Sequence, residues 1–398
     1  MTTLRRMAAH GAAALLGVAA LAVAGCERKP AEPVPDRLTL KPGGFADLPG
    51  WNTDAVAQAV PAFKRSCDRL KGQPDDRKLG PDGVGGTVAD WRPVCRRLAA
   101  LPAGDDVTAR AFFEEWFRPY AAANGDRRTG LFTGYYEVEL KGSRGPDPAF
   151  PTPLYRKPID LVMVDLGEFS DKWKGERTAG RVIDGRLRPY EDRAAIEAGS
   201  LTGKGLELLW AADPIAVFFL HIQGSGRVTF PDGTQMRVGY AGQNGHRYVA
   251  IGKELIDRGV LKREEVSLQS IRAWLKANPA DAAGMMNKNP SYVFFQELKG
   301  EGPMGAQGVA LTAGRSLAVD RGFIPYGVPV WLDAEDPLDN ARRLQRLMVA
   351  QDTGGAIRGP VRGDVFWGYG PEAEERAGRM KSNGQYWLLL PKGVGPSS

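Results

Sequence analysis

The order of hydrophobic and polar positions divides the chain into a helical N-terminal part and a β-rich remainder. Apolar residues recur at helical spacing over about 53–70, 87–101 and 105–123, and again over 246–258 and 264–277. From Gly130 the pattern alternates, as in GLFTGYYEVELKG, which is typical of a strand. Residues 216–248 resemble three strands joined by Gly-Ser-Gly and Pro-Asp-Gly-Thr turns, and short strands recur after Pro290. The pattern predicts a mainly β (α+β) protein with barrel-like β domains and with helices in its N-terminal part.

The first residues predict export. Arg5 and Arg6 precede a small-residue apolar run that ends in VAGC, and this resembles a bacterial lipobox ending at Cys26. We therefore expect a lipoprotein signal peptide over 1–25, cleavage before Cys26, and a membrane anchor through the lipid on that cysteine. Glu27, where Asp would favour the inner membrane, indicates the periplasmic face of the outer membrane. The Pro-rich residues 26–44 are then a tether.

Charge and cysteine content narrow the partners. The formal charge is +6, and loss of the two arginines of the signal peptide (6 − 2) leaves +4 without a basic run. This predicts no nucleic-acid partner and suits an anionic wall polymer. Cys67 and Cys95 lie on the apolar stripes of two predicted helices, so they are candidates for a disulfide in an oxidising compartment. A pair of buried thiols is the alternative.

The motifs that the sequence lacks leave catalysis by a carboxylate as the candidate chemistry. Outside the signal peptide only His221 and His246 occur, without C-x-x-C, H-E-x-x-H or G-x-S-x-G motifs, which predicts no metal site and no cofactor. His221 follows an apolar run and is interpreted as a core histidine, and residues 224–226 as a hairpin turn. Asp352 follows an apolar run and precedes Gly354 and Gly355. An apolar surround raises the pKa of a carboxyl, as a general acid requires, although a turn at Asp352 is the alternative.

Eight motifs in order resemble one family. They are FADLPGW, LFTGYYEVELKGS, FFLHIQGSGRV, GYAGQNGHRY, NPSYVFFQEL, GAQGVALTAGRSLAVD, FIPYGVPVWL and AQDTGGAIRGPVRGDVFWG. Together they resemble the membrane-bound lytic murein transglycosylase A (MltA) family from about residue 45 to 391, and residues 303–391 resemble its 3D domain. The resemblance implies outer-membrane lipoproteins that cleave the MurNAc–GlcNAc β-1,4 bond of peptidoglycan without water and leave 1,6-anhydroMurNAc ends. It also implies a double-psi β-barrel domain over 45–140 and 285–392, an inserted β domain over 141–284, and a large groove between them.

The resemblance also implies roles for individual residues. Asp352 is the one catalytic residue, first as general acid and then as base, while Asp364 and Asp320 support it or are structural. The residues expected to contact or make room for the glycan are Thr133, Tyr135, Tyr136, Gln223, Ser225, Arg227, Asn244, Gln307, Gly354 and Gly355. One of the two adjacent tyrosines is expected to pack inward.

Two other functions compete with this one. The first is a hydrolytic muramidase that uses Asp364 or Glu137 as a second carboxylate. The second is a peptidoglycan-binding lipoprotein without catalytic activity. In every case glycan strands are the expected partner, and cell-wall synthesis or division proteins are candidate partners.

Overall fold

A computed structural model describes residues 35–395 except 174, 301 and 340. The predicted signal peptide, Cys26 and the first part of the tether lie outside these residues. From Asp36 onwards the described residues form one compact unit.

Strands dominate the described residues. In chain order they are β1 (Leu38–Pro42), β2 (Phe117–Asn124), β3 (Gly130–Ser143), β4 (Thr152–Tyr155), β5 (Val162–Asp165), β6 (Arg177–Ile183), β7 (Arg186–Pro189), β8 (Glu207–Ala211), β9 (Ser225–Thr229), β10 (Gln235–Gln243), β11 (Val293–Leu298), β12 (Ser316–Val319), β13 (Pro329–Glu335), β14 (Arg343–Asp352), β15 (Arg362–Tyr369) and β16 (Lys381–Pro391).

Helices lie mainly before β2 and between β8 and β11. They are α1 (Val60–Leu70), α2 (Val88–Ala99), α3 (Asp106–Trp116), α4 (Arg193–Ala195), α5 (Pro214–Gln223), α6 (Ile251–Asp257), α7 (Leu268–Ala277), α8 (Pro279–Met286) and α9 (Pro371–Arg379).

Thirteen of the described strands form one mixed sheet. Its main order is β1-β2-β16-β13-β14-β12-β15-β3-β9-β10-β11, with β8 pairing with β3 and β4, and with a further pairing between β16 and β3. Strands β12 and β13 are buried along most of their length, and β16 is buried throughout its apolar second half, residues 386–391. Strands β5, β6 and β7 form a separate sheet. The mixed, sheet-dominated fold with helices agrees with the predicted class.

Helix α5 replaces a predicted strand. The segment is apolar on all sides, so its periodicity does not separate a buried helix from a strand. Its ends decide the matter: the Asp213 side chain accepts from the N–H groups of Ile215 and Ala216 at 2.8 and 3.2 Å, and Gly224 ends the helix with φ 79°. The prediction of a hairpin turn at 224–226 was therefore wrong, since Ser225 begins β9. His221 is 5% exposed, but in a helix rather than a strand.

Two further boundaries differ from the prediction. Helix α3 ends at Trp116, and the residues expected to continue it form β2. Part of the predicted tether forms β1, which pairs antiparallel with β2. In both cases pairing with distant strands satisfies the backbone groups, and short local patterns do not report such partners.

Covalent and ionic links hold the N-terminal helices in place. Cys67 of α1 and Cys95 of α2 form a disulfide with a Cα–Cα distance of 5.5 Å. Arg315, just before β12, donates to both carboxylate oxygens of Asp54 at 2.7 and 2.9 Å. The side chains of Asp54 and Arg315 are only 5% and 4% exposed. This pair fastens the N-terminal segment to β12, the strand that lies between β14 and β15.

Candidate active site

Strand pairing brings the two aspartates of interest to the same level of the sheet. Ala318 of β12 pairs with Asp352 of β14 on one side and with Asp364 of β15 on the other. Asp364 in turn pairs with Thr133 of β3. Two strand spacings separate the Cα atoms of the aspartates by about 10 Å. The register therefore gathers residues that are more than two hundred positions apart in the sequence.

Asp352 is held by three hydrogen bonds. Its Oδ2 accepts from the Tyr135 hydroxyl at 2.8 Å, and its Oδ1 accepts from the backbone N–H of Ala306 at 2.8 Å and of Thr353 at 2.9 Å. Burial raises the pKa of the Asp352 carboxyl above its ordinary value, although these hydrogen bonds act in the opposite direction. A carboxyl that is fixed in orientation and has a raised pKa is suited to donate a proton and to take one back.

Asp364 belongs to a second, connected cluster. The Thr133 hydroxyl donates to Asp364 Oδ1 at 2.6 Å and accepts from Arg362 Nη2 at 2.9 Å. Burial raises the pKa of Asp364 to about 6, the Thr133 hydrogen bond and the Arg362 charge oppose this shift, and the charge of Asp352 adds to it. The two carboxyl groups are thus close enough to influence each other electrostatically.

The adjacent tyrosines point to opposite faces of β3, as strand geometry requires. Tyr135 contacts Asp352, whereas Tyr136 is 2% exposed and its hydroxyl accepts from Arg272 Nη2 at 3.2 Å. Gln223 Oε1 accepts from the backbone N–H of Tyr136 at 3.1 Å. The inward tyrosine is therefore Tyr136.

Asp320 has different hydrogen-bond partners from Asp352. Its Oδ1 accepts from the backbone N–H of Gly322 at 2.9 Å, and its Oδ2 accepts from that of Gly359 at 2.7 Å. These bonds tie the end of β12 to the loop that follows Asp352. Gly355 in that loop is exposed, and a Cβ atom added there would meet nothing within 4 Å, so the space beside it is open.

Two of the residues predicted to contact the glycan make hydrogen bonds within the protein. Asn244 is fully buried (0% exposed), and its Nδ2 donates to the carbonyls of Glu191 and Pro290 at 2.9 Å each. Gln307 accepts from the Ser66 hydroxyl at 2.8 Å and donates through its backbone to Gln351 at 3.0 Å, which positions the loop bearing Ala306.

The remaining predicted contacts lie on β9. Ser225 is 7% exposed at the start of that strand. Arg227 Nε donates to Glu137 Oε2 at 3.3 Å, and Arg237 Nη2 donates to Glu137 Oε1 at 2.8 Å. Both oxygens of Glu137 therefore accept hydrogen bonds from arginines.

Sequence reasoning missed three contributors. The Ala306 N–H has no side chain to mark it, and only the flanking glycines of GAQG indicate a tight loop. Arg362 lies in the quoted GPVRGD motif, but its proximity to Thr133 depends on the parallel pairing of β15 with β3. Arg237 lies in none of the eight motifs. Among the described residues no group of three or more His, Cys, Asp or Glu is placed to hold a metal ion, and no helix there is both long and apolar enough to cross a membrane.

Comparison with known proteins gives consistent matches. Residues 131–296 match the MltA specific insert domain and residues 315–390 match the 3D domain. Membrane-bound lytic murein transglycosylase A of Escherichia coli (strain K12) is 32% identical over 393 residues, covering 94% of each chain. Its namesake from Vibrio cholerae is 33% identical over 309 residues, covering 75% of this chain and 76% of the relative.

Solved structures agree with the sequence matches. The crystal structure of a membrane-bound lytic murein transglycosylase from Agrobacterium tumefaciens has a TM-score of 0.79 at 36% identity, covering 89% of this chain and 98% of that chain. Escherichia coli MltA with bound chitohexaose has a TM-score of 0.62 at 30% identity, covering 90% of this chain and 95% of that chain.

Together with the carboxyl site, these likenesses define the chain as a peptidoglycan lytic transglycosylase. Among such enzymes it belongs to the membrane-bound lytic murein transglycosylase A family, with the 3D domain that the motifs indicated.

Proposed function

We propose that the protein cleaves the MurNAc–GlcNAc β-1,4 bond non-hydrolytically, with Asp352 as the catalytic residue. The observation that carries this is the state of Asp352. Its pKa is raised by burial, three hydrogen bonds fix it, and the loop that follows it in the chain is open at Gly355. A carboxyl in these surroundings can hold a proton and lies where a polymer has access.

Asp352 alone can carry out both proton transfers of the proposed reaction. Protonated Asp352 gives its proton to the glycosidic O4 as the C1–O4 bond breaks, and the sugar ring acquires oxocarbenium character. The C6 hydroxyl of the same muramyl residue then bonds to C1 and loses its proton to the Asp352 carboxylate. The product is a 1,6-anhydroMurNAc end, and the acid is regenerated without a water molecule.

Surrounding residues support the reaction by holding Asp352 or the glycan. Tyr135 orients the carboxyl, and Thr133, Arg362 and Asp364 form a polar cluster next to it. Asp320 holds the following loop. Gly355 leaves clearance, a Cβ atom at Gly354 would lie only 3.2 Å from Ile357 Cγ1, and we assign to Arg227 a cation on the substrate side.

The alternative is a hydrolase in which Asp364 is the second carboxylate. Its pKa of about 6 favours it over Glu137, whose oxygens both accept from arginines. A hydrolase leaves reducing muramyl ends, whereas the proposed reaction leaves anhydro ends.

Mass spectrometry of muropeptides from digested peptidoglycan tests the proposal. Wild type should release anhydro-muropeptides, Asp352→Asn should release none, and Asp364→Asn should retain the anhydro product at a reduced rate. Reducing ends from wild type would establish the hydrolase. Normal anhydro product from Asp352→Asn would overturn the assignment of Asp352. If wild type binds peptidoglycan but releases no product, the protein is a peptidoglycan-binding lipoprotein without catalytic activity.

We also propose the finer architecture and location expected from the sequence. Strands β3, β15, β12, β14, β13 and β16 pair in succession, and β16 pairs again with β3, which supports a closed double-psi β-barrel. The inserted β domain over 141–284 and the groove between it and the barrel are part of the same proposal. The name membrane-bound of the relatives supports attachment to a membrane, and the lipobox-like VAGC is the basis for proposing lipidation at Cys26 and outer-membrane attachment, with wall-synthesis or division proteins as candidate partners. Fractionation of wild type and Cys26→Ser after palmitate labelling tests the anchor.

A further inference from the structure

A buried carboxylate beside the proposed active site holds two arginines. Glu137 is 1% exposed and lies two residues after Tyr135 on β3, so both side chains point to the same face about 7 Å apart. Its Oε2 accepts from Arg227 of β9 and its Oε1 from Arg237 of β10. Two guanidinium groups therefore share one carboxylate, and a net positive charge remains.

Arg237 and Arg227 have different roles in this cluster. Arg237 donates to Glu137 through Nε and Nη2 and to the Gly300 carbonyl through Nη1 at 3.1 Å, so each of its nitrogens has a partner. Arg227 donates to Glu137 through Nε alone. Within the described part of the chain neither Nη atom of Arg227 has a hydrogen-bond partner, and its side chain is 21% exposed.

An aromatic ring lies against the free guanidinium. The Arg227 Cζ lies 3.5 Å from the centroid of the Tyr369 ring, and Tyr369 pairs with Glu137 in the sheet. Stacking on a ring and a charged hydrogen bond together orient a guanidinium before any ligand arrives. The two Nη atoms then form a fork that matches the two oxygens of a carboxylate.

We infer that Arg227, positioned by Glu137, Arg237 and Tyr369, is a carboxylate-binding subsite that selects charged murein strands over neutral glycans. The inference rests on the proposed function for the identity of the polymer. In stem-bearing strands the carboxylates belong to the peptide; in strands stripped of peptide by an amidase, the lactyl group itself carries one. Chitohexaose has none. The shared chemistry is a carboxylate close to the scissile region.

The test compares three ligands in the Asp352→Asn background, so that cleavage does not interfere with binding. They are soluble stem-bearing glycan strands, amidase-stripped strands, and chitohexaose. Arg227→Gln should weaken binding of at least one carboxylated ligand tenfold or more, while chitohexaose affinity stays within twofold. Loss confined to stem-bearing strands assigns the peptide carboxylate, and loss confined to stripped strands assigns the lactyl carboxylate. An equal loss for chitohexaose, or no loss for any ligand, would overturn the subsite.

Three further variants separate the fork from charge and from folding. Arg188→Gln removes the same charge from exposed strand β7 and should change no affinity. Arg227→Lys keeps the charge without the fork and should restore only part of the affinity; full restoration would overturn the bidentate contact. Glu137→Gln keeps the shape but releases the anchor, and should weaken the carboxylated ligand less than Arg227→Gln does. Thermal melting of each variant confirms folding.

Failure of this inference and failure of the proposed function give different results. With Asp352 restored, Arg227→Gln should raise KM for charged strands and leave kcat and the anhydro product nearly unchanged. A wild type that makes no anhydro product would refute the proposed reaction, while the binding comparison would still decide whether the carboxylate subsite exists.

Discussion

The phenol of Tyr135 donates a hydrogen bond of 2.8 Å to Oδ2 of Asp352, across 217 positions of sequence. This bond favours the ionised carboxylate and so lowers the pKa of Asp352, whereas burial raises it. Burial also raises the pKa of Tyr135 well above its ordinary value, so the phenol remains a donor throughout the working pH range. The protonation of Asp352 is thus set by burial on one side and by three hydrogen bonds on the other, and the Tyr135 phenol is the side-chain donor among them.

Tyr135→Phe should shift the pH dependence of the reaction. Without the phenol the pKa of Asp352 rises, so the protonated acid persists to higher pH and the alkaline limb of kcat/KM moves upward. We expect kcat near neutral pH to fall about tenfold, because the carboxyl also loses an orienting contact. Rates of anhydro-muropeptide release from pH 4 to 9 measure both effects.

Tyr136→Phe is the matched control for that experiment. It removes the hydroxyl from the neighbouring residue, which faces Arg272 on the other side of β3. The alkaline limb should stay where it is in wild type. A limb that moves in the Tyr136 variant, or stays fixed in the Tyr135 variant, would contradict the control of Asp352 by Tyr135.

Asp364→Asn should change the pH dependence of stability. The folded-state pKa of Asp364 is raised to about 6 from 3.8, so the contribution of this group to the stability of wild type is fully present below about pH 4 and is lost as pH rises through 6. Asparagine does not titrate. The melting temperature of the variant relative to wild type should therefore be higher at pH 7.5 than at pH 4, and parallel curves would contradict the raised pKa.

The disulfide should contribute strongly to the free energy of unfolding. Cys67 and Cys95 are 28 positions apart, and closing a loop of that size in the unfolded chain stabilises the fold by about 3–4 kcal/mol. Urea unfolding of Cys67→Ala/Cys95→Ala should show a loss of this order. Dithiothreitol should lower the stability of wild type but not of the double variant; equal sensitivity would count against the bond.

Asp54→Ala should destabilise the protein far more than loss of a surface acid. It leaves the buried Arg315 guanidinium without its carboxylate and the Leu347 N–H without its acceptor, at a cost of about 3–5 kcal/mol. Asp257→Ala breaks only the exposed pair with Lys253 and should have little effect. Similar unfolding midpoints for the two variants would refute the anchoring role of Asp54.

The sequence by itself determined the local features and much of the chemistry. Alternation along β3 placed Tyr135 and Tyr136 on opposite faces, and the apolar run before Asp352 predicted a carboxyl with a raised pKa. The motifs identified the family before any contact was known. Alternation and the apolar run are local patterns, and the motifs are recognised by their residues and their order, so all three can be found in the sequence alone.

Only the tertiary structure decided which residues meet. The apolar segment at 214–223 fits a strand or a buried helix equally well, and its caps and packing made it a helix. Asn244 is an amide residue of a type that can bind sugars, but its side chain donates to two backbone carbonyls of the protein. The contacts of Asp352 with Tyr135 and Ala306, and of Glu137 with Arg227 and Arg237, arise from strand pairing between distant segments. Pairing and burial are properties of the whole sheet, so no local pattern contains them.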